Sequence, residues 1–141
     1  MGKGAGDANT TASDNTFIGT DAGGSNVTGT GNTFLGTAAG DVNTASANTF
    51  LGANAGGANT TAADNTFIGT SAGLLNDKGV SNTFIGARAG DSNTASGHTF
   101  IGKDAGGANT AGHLNTFFGT NRGNRTSPST QKTFLGASSS Q

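Results

Sequence analysis

The chain has 141 residues, 26 of them glycine, and eight acidic groups set against seven lysines and arginines, with no cysteine, tryptophan or tyrosine. A charge this close to neutral offers no basic surface to nucleic acid and no polybasic membrane anchor, and no apolar run approaches the roughly 20 residues that span a bilayer. The scarcity of large apolar residues argues against a conventional globular core, and the missing cysteines exclude a disulfide framework and a thiol nucleophile.

The opening segment, 1–14, carries no apolar stretch of the kind a signal peptide needs. Its Gly2-Lys3-Gly4-Ala5-Gly6 and Asn9 read as half of a repeat that becomes regular from residue 15. From there one phrase, Asn-Thr-Phe-Ile/Leu-Gly, recurs to the end of the chain. Its phenylalanines are Phe17, Phe34, Phe50, Phe67, Phe84, Phe100, Phe117 and Phe134, spaced 16 or 17 residues apart. That period is too short for helical-hairpin or propeller repeats, which need roughly 30 residues or more. It fits one coil of a β-solenoid. Low-complexity composition of this kind often means disorder, but a disordered linker has no reason to hold eight phenylalanines in phase.

Within each repeat the columns are explicit. Thr precedes the Phe in every repeat, from Thr16 to Thr133. A large apolar residue follows it: Ile18, Leu35, Leu51, Ile68, Ile85, Ile101, Phe118 and Leu135. Two places before the Phe stand Asn15, Asn32, Asn48, Asn65, Asn82 and Asn115, with His98 and Lys132 as the exceptions. Nine places after it come Asn26, Asn43, Asn59, Asn76, Asn93 and Asn109. Thr-Phe-Ile is a β-favouring run bounded by turn residues, so each repeat predicts one short strand. Stacked about 4.8 Å apart, eight such strands make a rod of roughly 35–40 Å. The first Asn column is placed to hydrogen-bond its own copies up the stack. The one-residue shortening of two repeats falls after Asn43 and Asn93, in a turn, where it leaves the ladder register intact.

Phe and its apolar neighbour are consecutive on a strand and point to opposite faces. One of the two columns therefore faces outward, and sequence alone leaves open which. A ladder of eight large apolar residues on the outside marks an interface, and self-association is the expectation.

The hydrophobic-Gly pairs, Ile18-Gly19 through Leu135-Gly136, with the following Ala-Gly as in Asp21-Ala22-Gly23, resemble the left-handed parallel β-roll of trimeric autotransporter adhesin heads and trimeric phage tail fibres. The resemblance covers essentially the whole chain. Adhesin heads usually carry a smaller residue in place of the Phe, on a shorter coil. What the resemblance implies is an all-β parallel β-solenoid, or β-roll, of about eight 16–17-residue coils, packed or intertwined as a homotrimer. It also implies a structural role as shaft or head of a phage tail fibre or bacterial adhesin, on a virion or cell surface. The partners would be copies of the chain itself and a host-surface receptor or glycan.

The expected organisation is a single domain over 1–141: a partial coil at 1–14, regular coils at 15–120 and an irregular terminal coil at 121–141 containing the only proline, Pro128. Because both ends read as half coils, head-to-tail stacking into an extracellular filament is an alternative. A second alternative is an ice-binding β-solenoid, suggested by Thr16 and its equivalents beside Thr20, Thr37, Thr70 and Thr120. No enzyme is expected, because no convergent set of titratable groups is visible. His98 sits in the Asn column and His113 in a turn. The eight Asp residues scatter over several columns and read as solvated turn residues rather than metal ligands, so no cofactor or metal is expected. Asn-x-Thr sequons fall at Asn9, Asn26, Asn59 and Asn124. The turn Leu74-Leu75-Asn76-Asp77-Lys78-Gly79 departs most from the consensus and reads as an outward loop.

Overall fold

The structure is a computed structural model and describes residues 2–107, 109–123 and 130–136. Each Thr-Phe-apolar triplet forms a strand: β1 (Thr16–Ile18), β2 (Thr33–Leu35), β3 (Thr49–Leu51), β4 (Thr66–Ile68), β5 (Thr83–Ile85), β6 (Thr99–Ile101), β7 (Thr116–Phe118) and β8 (Thr133–Leu135). They form one parallel sheet in sequence order, and every pair is in register, Phe against Phe. The fold is a β-solenoid of about seven turns, with no helix among the described residues. Seven steps of about 4.8 Å give the strand face a length of about 34 Å.

The remaining walls of each coil are also laddered by hydrogen bonds. On the Ala-Gly side, Gly23 N–H donates to the Ala39 carbonyl at 2.9 Å and Gly73 N–H to that of Ala89 at 2.9 Å. At the corner before each strand, Ala47 N–H donates to Thr30 O at 2.9 Å and Gly97 N–H to Val80 O at 3.0 Å. Backbone groups that a thin rod cannot hide from water are thus paired with the coils above and below.

Phe faces in. Phe34, Phe50, Phe67, Phe84, Phe100 and Phe117 have no exposed surface, and neither do Ala22, Ala39, Ala55, Ala72, Ala89 and Ala105 on the opposite wall. The rings stack in one column from Phe17 to Phe134, with neighbouring centroids 4.8 to 5.1 Å apart. Between β2 and β5 adjacent rings are within 7° of parallel. The coil repeat fixes this face-to-face spacing, which falls in the range where aromatic pairs attract.

Two glycine columns make the narrow coil possible. Gly69, at φ 134, occupies a region essentially closed to other residues, and a Cβ on it would lie 2.6 Å from the Gly86 backbone. Gly73, at φ 58, lies over the Phe67 ring, and a side chain there would enter the ring.

The terminal coil is more regular than its sequence suggests. Gly119, Asn121 and Gly123 keep the positive φ of their equivalents in earlier coils, and Gly106 N–H donates to the Arg122 carbonyl at 2.6 Å where other coils use Ala. The Arg122 side chain reaches the next coil, donating to Gly136 O at 2.6 Å and Leu135 O at 3.1 Å, with its guanidinium 5.9 Å from the Phe134 centroid. The segment 124–129, with Pro128 and the Asn124 sequon, lies outside the described residues.

Candidate functional site: the outer ladder and the asparagine spine

With Phe inside, alternation along the strand sends Thr and the Ile/Leu column outward. The ladder Ile18, Leu35, Leu51, Ile68, Ile85, Ile101, Phe118 and Leu135 therefore runs unbroken along the rod. Ile18 is 47% exposed, Leu35 41%, Phe118 53% and Leu135 71%, while the central Ile68, Ile85 and Ile101 are half-buried. Thr16, Thr33, Thr49 and Thr116 flank it on one side, all exposed. On the other side are Thr20, Thr37, Thr70 and Thr120, interrupted by Ala53, Ala87 and Lys103. The interior is complete without this ladder, so the face is surplus to the fold of one chain.

Behind the strands the first Asn column forms a continuous spine. Each side-chain Oδ1 accepts the backbone N–H of its counterpart in the next coil: Asn32 to Asn15 at 2.8 Å, Asn48 to Asn32 at 2.9 Å, Asn65 to Asn48 at 2.9 Å and Asn82 to Asn65 at 2.9 Å. The predicted Asn stacking is therefore side chain to backbone. Asn32 and Asn82 also donate through Nδ2 to the Ala45 and Ala95 carbonyls, at 2.8 and 2.9 Å. Lys132 ends the described spine, giving its N–H to Asn115 Oδ1 at 2.9 Å.

His98 takes the Asn place without breaking the series. Its N–H donates to Asn82 Oδ1 at 2.8 Å, and its Nδ1 accepts Asn115 N–H at 3.0 Å. The ring hydrogen is then on Nε2, which faces the Gly112 carbonyl. Nε2 stands 3.2 Å from Asn109 Nδ2, matching the way Asn32 and Asn43 both donate to Ala45 O. The ring is buried and stacks on Phe100 at 4.8 Å. Burial, reinforced by the neighbouring His113, pushes its pKa down to about 4.

The second Asn column explains the tolerated shortening. In long turns Asn26 and Asn76 clamp the residue three places on, each accepting its N–H at 3.0 Å and donating to its carbonyl, Gly29 O at 2.9 Å and Gly79 O at 2.8 Å. In short turns Asn43 and Asn93 reach the carbonyl only two places on, Ala45 and Ala95, both at 2.8 Å. The deleted residue comes out of this clamp and leaves the ladder untouched.

Two sequence readings change. Within the turn Leu74–Gly79, Asn76 and Gly79 are buried as the inner clamp, and only Leu75 and Lys78 are fully outward. Asp104 is not merely solvated: Arg88 in the preceding coil grips it with two bonds, Nε to Oδ1 at 2.6 Å and Nη2 to Oδ2 at 2.9 Å. That bond holds the Asp104 pKa below the usual carboxylate range. The signal was present, since both residues stand four places after their Phe in adjacent coils. The Asn26 and Asn59 sequons are fully buried and closed to glycosylation in the folded rod.

No group of three or more metal-ligating side chains occurs among the described residues. An open recess beside the first coil is lined by Ala5, Gly6, Asn9, Thr10, Ala12, Asn15 and Phe17, none of them titratable. In-register parallel strands, a single aromatic column and an uncovered apolar ladder define the class: a parallel β-solenoid repeat protein. A scan against protein-family models and searches of curated proteins and of solved structures each found no match.

Proposed function

We propose that the chain is a structural element, a rod segment of a fibre or adhesin at a virion or cell surface, which self-associates as a homotrimer through its outer ladder. One observation carries this reading. Eight large apolar residues stand in line on the outside of a coil whose core is already closed. Free soluble monomers rarely keep such a continuous apolar surface. Covering each side chain is worth on the order of 1.5–3 kcal/mol, and the flanking Thr columns supply hydroxyls for the rim. The strand face alone, about 10 Å by 34 Å, is smaller than the ~800 Å² each partner gives to a standard interface. A stable assembly therefore also recruits these flanks.

Light scattering behind size exclusion, over a range of concentrations, tests the reading. It predicts a mass three times that of the chain, reverting to one in an Ile68→Lys/Ile85→Lys double variant that keeps its β circular dichroism. A monomer at every concentration rejects self-association. Open-ended growth with concentration points instead to head-to-tail stacking. Ice binding, tested by thermal hysteresis, is the weaker reading because Ala53, Ala87 and Lys103 break the Thr20 column.

A further inference from the structure

The spine between Asn15 and Lys132 is made of carboxamides, which do not titrate, except at His98. There the acceptor for the next coil is an imidazole nitrogen. Once protonated, Nδ1 carries a hydrogen and meets the Asn115 N–H donor to donor. A second histidine bridges the same two coils in the opposite direction, with Ser96 N–H pointing at His113 Nδ1 at 3.4 Å. Two contacts between the β6 and β7 coils thus use an imidazole acceptor, and the buried one is lost when His98 takes up a proton.

The surroundings of His98 offer no relief. The coil below presents Asn82, its own coil presents Asn109 and Gly112, and the coil above presents Asn115 and His113. Of these only His113 is ionisable, and it disfavours a proton on His98. Lys132, one spine step beyond Asn115, is cationic. No carboxylate stands among these groups to serve as counter-ion.

We propose that the junction between the β6 and β7 coils is an acid-operated joint: protonation of His98 releases the β7–β8 end from the rest of the rod. The aromatic column and sheet continue through the junction at neutral pH. The other described spine steps have no titrating acceptor and stay closed when this one opens. The device would let a fibre change length or expose its strand edge on entering an acidic compartment.

Amide hydrogen exchange on the full chain, followed by NMR from pH 7 to pH 4 and corrected for intrinsic rates, tests it. A histidine at about 4 when closed and about 6.5 when open predicts a loss of protection of about 100-fold at Asn115 and β7. Asn48 and β3 are expected to keep theirs. His98→Asn, which restores the residue used elsewhere in the spine, is expected to remove most of the loss. An equal loss in β3 and β7, or an undiminished loss in His98→Asn, overturns the proposal. The wild-type ring ¹⁵N shifts give a second reading that needs no variant. If His98 titrates while Asn115 stays protected, the joint does not exist.

Discussion

His98 Nδ1 accepts the Asn115 backbone N–H at 3.0 Å, the same service that Asn82 Oδ1 performs for His98 at 2.8 Å. An imidazole and a carboxamide are interchangeable here because both place an acceptor and a donor on one planar group. They differ in that only the imidazole binds a proton.

The pH dependence of global stability follows from that difference. In the unfolded chain the histidine binds its proton near pH 6.5, and in the fold only near pH 4. The contribution of His98 to stability is therefore undiminished above pH 6.5, falls as the pH drops from 6.5 to about 4, and levels off below that. The total loss is about 3 kcal/mol. Urea unfolding at pH 7 and pH 4.5 measures it, and His98→Asn is expected to lose this component. His98→Leu removes the acceptor altogether and is expected to cost about 1–3 kcal/mol already at pH 7.

Removing one ring from the column leaves a hole bounded by two other rings and a closed backbone. Phe67→Ala is expected to cost about 3–5 kcal/mol. Phe67→Leu keeps most of the volume and is expected to cost less, though it still breaks the stack. Thermal unfolding followed by circular dichroism ranks the two.

Gly69→Ala adds one methyl group on the coil corner. It meets both a forbidden backbone region at φ 134 and the Gly86 backbone, so the expected cost is about 3 kcal/mol or more. Alanine substituted at exposed Thr70 is expected to change stability by no more than about 0.5 kcal/mol. Chemical denaturation of the pair separates corner strain from surface change.

Leu114 is held at φ 57 with its side chain 57% exposed. Asp14 and Asp64 take the same corner at φ 62 and 60. Short polar side chains tolerate this left-handed conformation far better than leucine. Leu114→Asn is therefore expected to stabilise by about 0.5–1 kcal/mol, measurable as a higher denaturant midpoint with unchanged slope.

The sequence alone determined the period, the strand triplets, the parallel in-register stacking and the placement of length changes in a turn. It could do so because each coil repeats the same local chemistry, and a one-residue slip would turn every Phe outward. The Asn column was equally legible as a stacking element, since any hydrogen-bonding residue recurring at the coil repeat meets its own copy. What needed the tertiary structure was the direction of the apolar columns. Phe and Ile/Leu alternate on the strand, and only the opposite wall of Ala and Gly, with nothing larger to fill the coil, leaves a slot the width of one ring. The inner clamp of Asn76, the Arg88–Asp104 grip and the Arg122 cap over Phe134 were likewise decided in three dimensions. The last two join residues that become neighbours only when the chain has closed its loop.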